Sequence, residues 1–441
     1  MTVTATHPYI EALARCSQDL PESPAGWLNA RRAQALERAN ALTVPSTRDE
    51  EWRFTDITPL TKIHFQPACA DMALTPQDIA RFVVPEAQCR LVFVDGIYAA
   101  GLSAVGGLPA GVRVSTLAAA AREQDALLEQ HLARQVTNEH NVFAALNTAY
   151  LRDGVLVSIA KNQTYAAPVH VLHVATQKEV AAYPRCLVVA ESGSECTVIE
   201  DYVSLTDAAY LTNAVTEIVV ADAARVRHVR LQRESLGAFH IATCTVNLEK
   251  DASYIANAVT LGARISRYGL DVLQNGEGAE MKIDGLALIS GRQLADTHTL
   301  MAHHRPNGRS AQVHKTIVGG AAHAVFNGKV YVAKGAQLTD SAQQSRNLLL
   351  SSRAHVDTKP QLEIFADDVK CAHGATVGQL DAEQLFYLKS RGLPEQTAHN
   401  LLTYAFGAEL IDRIPVPSLV AQLEKTVLEQ TQALEPARGA A

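Results

Sequence analysis

Hydrophobic and polar positions along this chain change rhythm twice. Between residues 8 and 44 the apolar residues follow helical spacing, with Ala, Leu and Arg dense from Trp27 to Leu42. Arg90–Asp95 reads as a short strand turning at Asp95-Gly96. Ala118–Arg134 reads as helix by composition, and Asn141–Tyr150 as one more helix closed by Asp153-Gly154. From Val155 the pattern becomes short alternating runs: Val155–Ile159, Val169–Val174, Leu187–Ala190 and Thr197–Ile199. Helical periodicity then stays absent for roughly two hundred residues in which Val, Ile, Thr and Ala dominate.

A weak repeat runs through the turns of this middle part. Gly-Ser-Glu-Cys196, Ala-Ala-Arg-Val226, Asp-Ala-Ser-Tyr254, Gly-Ala-Glu-Met281, Ser-Ala-Gln-Val313, Gly-Ala-Gln-Leu338 and Arg-Ala-His-Val356 share one form: a small, then a polar, then an apolar residue. The small residues fall at 194, 224, 252, 279, 311, 336 and 354, in steps of 30, 28, 27, 32, 25 and 18. Such a step fits one coil of a β-solenoid, with the small residue at a tight corner and the apolar one pointing inward. Hairpins of an ordinary β-sandwich would also produce it, since the pattern is a cheap one. An open-ended solenoid needs its last edges capped or shared with another chain, which makes dimerisation through the core an expectation.

Helical spacing returns after residue 380. Asp381-Ala-Glu-Gln384 has the form of a capping box ahead of Leu385–Leu388, and Gly392 suits a C′ position after Lys389 and Arg391. Pro394 suits the first turn of the next helix, where Ala398, Leu401, Leu402, Ala405 and Phe406 form one apolar stripe. After Pro415-Val-Pro417, Ser418 is expected to cap a last helix with Leu419, Val420, Leu423, Val427 and Leu428 on one side, and the final six residues to fray. Helices beyond a solenoid end cannot bury both faces against one coil, so an exposed groove is expected there, a plain cap being the alternative. The chain is thus expected to divide into a mainly helical part (1–150), a β-solenoid core (151–377) and a C-terminal helical part (378–441).

Composition removes several function classes. Of 441 residues 47% are hydrophobic and 19% charged, which is ordinary for a soluble globular protein. A net charge of −7 argues against a nucleic-acid surface. The first fifteen residues do not read as a signal peptide, and no apolar run reaches the roughly 20 residues that span a bilayer. The seven cysteines (16, 69, 89, 186, 196, 244 and 371) include no C-x-x-C pair. They suit reduced thiols in a cytoplasm and exclude a self-contained zinc or cluster motif. All but Cys371 read as structural, several of them within apolar alternation. No G-x-x-x-x-G-K-[ST] or G-x-S-x-G is present, so neither an ATP-binding P-loop nor a hydrolase elbow is expected.

Candidate chemistry centres on Cys371-Ala-His373. Two residues apart on a strand, thiol and imidazole share a face and could bind iron or zinc, with further ligands from elsewhere in the fold or from another chain. A buried cysteine beside a surface histidine explains the same pair. Asp367-Asp368 could form an acidic metal-entry surface or simply blunt an edge strand with charge. Eight of the sixteen histidines lie from His298 onward, but His298, His303, His304, His314 and His323 lack ligand spacing and are expected to point outward from the coils. Trp52 and Phe54, in a charged segment, read as aromatic anchors of a loop.

The words CAHGATVGQLD, LFYLKSRGL and AHNLLTYAF together resemble the C-terminal signature of the SufB/SufD family, closest to the SufD branch, in which Gly374 replaces the acidic residue of SufB. The segment Pro45–Asp56 resembles a second family feature. The resemblance implies a right-handed parallel β-helix core flanked by helical domains, in a non-catalytic scaffold subunit of the Suf iron–sulfur cluster assembly complex. It implies two partners, a SufB-like β-helix chain and the Suf ABC-type ATPase, with a homodimer as the other pairing. Cys371 and His373 would take part in iron entry or in holding a transient cluster shared with the partner chain. Tyr387, Arg391, Gly392, Leu402 and Phe406 would lie in the part that docks the ATPase. The flavin associated with the family's assembled complex has no signature in these residues. Two other readings stand beside this one: a purely structural assembly subunit without a cluster ligand, and a carbohydrate-active β-helix protein. The latter would want a secretion signal and more aromatics than 5%.

Overall fold

The computed structural model describes residues 8–16, 20–69, 74–136 and 140–433. Residues 1–7 of the segment read for a leader, the residues read for fraying (436–441) and the side chain of Cys16 lie outside the described residues. Ten helices are described: α1 (Pro8–Cys16), α2 (Gly26–Ala41), α3 (Thr58–Thr61), α4 (Pro76–Ile79), α5 (Leu117–Arg122), α6 (Ala126–His131), α7 (Val142–Ala149), α8 (Ala382–Ser390), α9 (Glu395–Ile411) and α10 (Pro417–Ala433). Twenty strands lie among them. The first ten are β1 (Cys89–Val94), β2 (Ile97–Tyr98), β3 (Val112–Thr116), β4 (Val155–Ile159), β5 (Val169–Ala175), β6 (Ala181–Ala182), β7 (Arg185–Ala190), β8 (Glu195–Ser204), β9 (Leu211–Val220) and β10 (Arg225–Arg233). The rest are β11 (Phe239–Leu248), β12 (Ser253–Thr260), β13 (Ile265–Gln274), β14 (Glu280–Ile289), β15 (Leu294–His303), β16 (Arg309–Val318), β17 (His323–Val332), β18 (Asp340–Leu349), β19 (His355–Ile364) and β20 (Lys370–Gly378).

From β8 onward successive strands fall alternately into two sheets. One runs β2-β1-β5-β8-β10-β12-β14-β16-β18-β20 and the other β19-β17-β15-β13-β11-β9-β7-β4-β3. Among the described strand pairs, only β1–β2 and β3–β4 are antiparallel. Each coil therefore adds one strand to each sheet, and the core is a β-solenoid. β1, from the N-terminal part of the sequence, pairs in parallel with β5 and so extends the same sheet.

The corner residues explain the turn repeat and its limits. Ser194, Ala224, Ala252 and Ala279 are buried, and each immediately precedes a strand of one sheet in continuous register. The next two positions in that register are Gly308 and Thr339, not the sequence-matched Ala311 and Ala336. Ala311 lies inside β16, and Ala354 immediately precedes a strand of the other sheet.

Inside the coils, alternation buries Val157, Val171, Val198, Val226, Tyr254 and Met281 in one apolar column. Outside, each sheet is covered by helices. α7 sets Phe143 and Leu146 against Leu211, Phe239 and Ile241. On the other sheet, Leu410, Ile411, Leu419, Leu423 and Val427 of α9 and α10 pack on Ile199, Val229, Leu231, Val259, Leu286 and Ile317. At about 1.5–3 kcal/mol for each large apolar side chain buried, this seam holds the tail firmly. The expected placement of the tail at the coil end is thereby corrected: α9 and α10 run along the side of the solenoid, and the last coil stays open. Ser418 does not cap α10 but lies inside it, its backbone N–H and hydroxyl both donating to the Glu86 carboxylate.

Candidate functional site

β20 is the last strand of its sheet and is exposed along nearly its whole length, while β19 ends the other sheet and is partly exposed. Both therefore leave one row of backbone groups unpaired, which a second chain can complete. In register, Cys371 lies beside Ser341 and His373 beside Gln343 on β18. Ser341 and Gln343 are buried in the lumen, so Cys371 and His373 occupy the lumen face of the final coil. Cys371 is half-buried against the apolar column, and His373 is exposed at the mouth.

Two polar ladders lead to these residues through the last coils. Gln274 Oε1 lies 2.7 Å from His303 Nδ1, His303 Nε2 lies 2.9 Å from Ser310 Oγ, and Ser310 donates to Ser341 Oγ at 2.7 Å. Cys371 is next in register. In the second ladder Gln312 donates to Thr299 Oγ1 (2.9 Å) and Gln343 donates to Gln312 Oε1 (2.9 Å). Gln343 Oε1 is buried without a hydrogen-bond partner among the described residues, and the next residue in register is His373. A buried acceptor left unpaired costs about 1–3 kcal/mol, which a ligand or partner at the mouth would relieve. The lumen of the last coils is thus lined by stacked, mutually bonded polar side chains up to the open end.

Sequence reasoning missed these ladders although their signal was present. Ser310-Ala-Gln312, Ser341-Ala-Gln343 and Cys371-Ala-His373 are three successive copies of one word, stacked coil on coil. The candidate pair is the last rung of a repeat. Burial, and then the Asp340 carboxylate, push the Cys371 thiol above its ordinary value. In the single chain Cys371 therefore holds its proton, and a cation or a neighbouring base must draw it off.

The other histidine candidates do not converge. His298 is held between Asp296 and Glu51, His304 meets Asn275, and His323 meets Asp357. His303 and His314 are buried in the lumen, contrary to the expected outward placement, and burial lowers each to about 4. Cys89, Cys186, Cys196 and Cys244 are buried, and burial pushes their thiols up, that of Cys196 to about 12. Cys69 is exposed. Asp367 and Asp368 sit in the exposed turn between β19 and β20, not on an edge strand. Trp52 packs on Phe143 with the Arg267 guanidinium 3.9 Å from its ring centroid, as befits an anchor.

Asp381 caps α8 by accepting from the Glu383 N–H (2.8 Å), and Gly392 turns the chain with φ +91°. α8 buries none of its residues: Phe386 is 74% exposed and Tyr387 56%, with Arg391 stacked 5.2 Å from the Tyr387 ring. The stripe read on α9 splits. Ala398 is buried, Leu402 and Phe406 are half-buried, and Leu401 and Ala405 face solvent. Lys315 Nζ lies over the Phe406 ring (4.9 Å) and donates to the Phe406 carbonyl (2.9 Å), fixing Phe406 to the solenoid. Of the five docking candidates Tyr387, Arg391 and Gly392 are exposed, and so are Phe386 and Leu401, which were not among the five.

Residues 173–406 match the family model described as SUF system FeS cluster assembly, SufBD core domain, and residues 3–171 match the SufBD protein N-terminal region. The chain is 39% identical to an iron–sulfur cluster assembly SufBD family protein of Synechocystis sp., covering 90% of each chain. It is 35% identical to the iron–sulfur cluster assembly protein SufD of Escherichia coli, over 88% of this chain and 90% of that one. With SufD of Bacillus subtilis it shares 28% identity, over 91% and 93% respectively.

Proposed function

The chain belongs to the SufBD family of iron–sulfur cluster assembly proteins, and on that premise we propose that it is a non-catalytic, cytoplasmic scaffold subunit whose open last coil joins a SufB-like β-helix chain. Iron and the nascent cluster are its cargo. The observation that carries this reading is the position of Cys371 and His373, two residues apart on the lumen face of a terminal strand whose outer edge is free. Two donors are too few to hold iron, so the remaining ligands come from the partner chain across that edge. His373 is the stronger ligand of the two, since it is exposed, whereas the Cys371 thiol must first lose its proton. The coils are taken as right-handed, the sense a right-twisted strand favours in parallel crossovers.

Control comes through the tail in this reading. An ABC-type ATPase docks on α8 and the adjoining turn, where Phe386, Tyr387 and Arg391 are exposed. Because α9 and α10 are packed along the sheet that ends in β20, motion imposed on α8 would be carried to the cluster-handling edge. No ATP is bound by this chain itself.

The test is anaerobic affinity purification of the tagged chain from its own host, with the co-purified chains identified. Recovery of an ABC-type ATPase and a second β-helix chain is expected. A chain that purifies with neither, or only as a homodimer, would refute the mixed-complex reading. A homodimer through the same edge is the second reading, favoured only by the fact that β19 and β20 are open to a copy as well as to a partner.

A further inference from the structure

On the sheet opposite Cys371 and His373, three potential ligands meet that are widely spaced in the sequence. His323 opens β17 and His355 opens β19, and the two are direct partners in register. Asp357, two residues beyond His355, shares its outward face. His323 Nε2 lies 2.7 Å from Asp357 Oδ2 and His355 Nε2 lies 3.2 Å from the same oxygen, with the imidazole centroids 5.0 Å apart. The three ligand atoms all fall within 4.8 Å of one another. The geometry points to a divalent metal site built of two imidazoles and one carboxylate.

Donor chemistry and framework both favour this. Ligand atoms at about 2.0–2.1 Å around a tetrahedral ion stand roughly 3.3 Å apart. The His355–Asp357 separation of 3.2 Å already matches this, and a cation entering here would widen the 2.7 Å His323–Asp357 contact and draw the imidazole nitrogens to the same spacing. Imidazole nitrogen with one carboxylate suits borderline first-row ions such as Zn²⁺ or Fe²⁺ and disfavours Mg²⁺ and Ca²⁺, which seek oxygen. The framework is rigid: the backbone N–H groups of His323 and His355 donate to Gln293 and Ala322 in the strand ladder. Phe54 packs edge-on to the His323 ring at 6.5 Å between centroids and shields one side. His355 is largely exposed, which leaves the outer coordination positions open to water or to a ligand from another chain. A plain His–Asp ion pair is the competing explanation, and it binds no metal.

The site does not depend on the role proposed for Cys371 and His373, and its test keeps the two apart. The full-length chain, stripped with a chelator, would be titrated with Zn²⁺ against a chromophoric competitor, in the wild type and in a Cys371→Ser/His373→Ala background. Binding of one Zn²⁺ per chain is expected to survive in that background. Asp357→Asn and His355→Gln should each weaken it by more than the roughly 10–100-fold that outer-shell partners of a metal carry. His355 is mostly exposed, so its replacement leaves folding intact, which the circular dichroism spectrum would verify. Co²⁺ bound at this site should show visible d–d bands without a thiolate charge-transfer band. Zinc binding that is unaffected by Asp357→Asn and His355→Gln, that disappears only in the Cys371→Ser/His373→Ala background, or that is absent from the wild type would each overturn the assignment.

Discussion

Arg185→Met should loosen the N-terminal helices from the solenoid before the solenoid itself unfolds. Arg185 and Glu217 are both fully buried between β7, β9 and the helical layer. The guanidinium donates to Glu217 Oε2 at 2.5 Å and 3.1 Å, to Asn147 Oδ1 at 2.9 Å and to Thr148 Oγ1 at 3.2 Å. Glu217 in turn accepts from the backbone N–H groups of Ala133, Arg134 and Gln135 at 2.8–3.0 Å. One ion pair therefore ties the segment around Ala133 and α7 to two strands. Removing one partner of a buried pair costs about 3–5 kcal/mol, because the other charge stays desolvated. Arg185→Met should fall near the lower end, since Glu217 keeps its backbone donors. The double variant with Glu217→Gln should cost at least about 1 kcal/mol less than the sum of the two single variants. Trp27 and Trp52 are the only tryptophans, and both lie in the N-terminal part. Fluorescence in a urea titration thus reports the helical layer, while far-ultraviolet dichroism reports the strands. The fluorescence midpoint should fall well before the dichroism midpoint in Arg185→Met. A variant within about 0.5 kcal/mol of wild type, with coincident midpoints, would refute the reasoning.

Three further outcomes follow from the same structure. His173, His303 and His314 are held at about 4 by burial, against an ordinary value of 6.5, so the unfolded chain binds more protons between those limits. Stability should therefore fall as pH drops from about 6.5 towards 4, with a slope approaching about 1.4 kcal/mol per pH unit for each histidine, and His314→Gln should flatten the curve measured by urea midpoints. Leu423→Ala, in the seam between the tail and the sheet, should cost about 2–5 kcal/mol in chemical denaturation. Phe386→Ala with Tyr387→Ala removes two exposed rings, so it should leave the melting temperature within a degree or two of wild type. The same change should abolish co-purification of the ATPase, and full recovery of that partner would place the docking surface elsewhere.

Much of the architecture was legible because it is local. Asn141 caps α7, Asp381 caps α8, and the small buried residues at 194, 224, 252 and 279 mark the corners of successive coils. The repeat failed at 311 and 336 because Gly308 and Thr339 fill the same corners in different words, and register, not identity, is what stacking conserves. The course of the tail was illegible. The apolar outer face of β8, β10, β12, β14 and β16 that receives it is spread over more than a hundred residues, and alternation does not say which face a distant helix will cover. The lumen positions of His303 and His314 were missed for a related reason: a polar residue on a strand was assigned to solvent, while the coils near the open end pair their polar side chains with one another. Cys371 and His373 were found by their words, yet their meaning as the last rung of the Ser-Ala-Gln repeat needed the register between coils.

The central claim is that the last rung handles iron. Its most direct measurement is the iron and acid-labile sulfide bound per complex after anaerobic purification, compared among wild type, His373→Ala and Cys371→Ser at equal subunit stoichiometry. His373→Ala should lose most of the iron, Cys371→Ser should lose less, and the partners should remain bound in both. Unchanged iron in His373→Ala with the complex intact would contradict it, leaving the chain a structural subunit whose terminal strand holds the partner and nothing else.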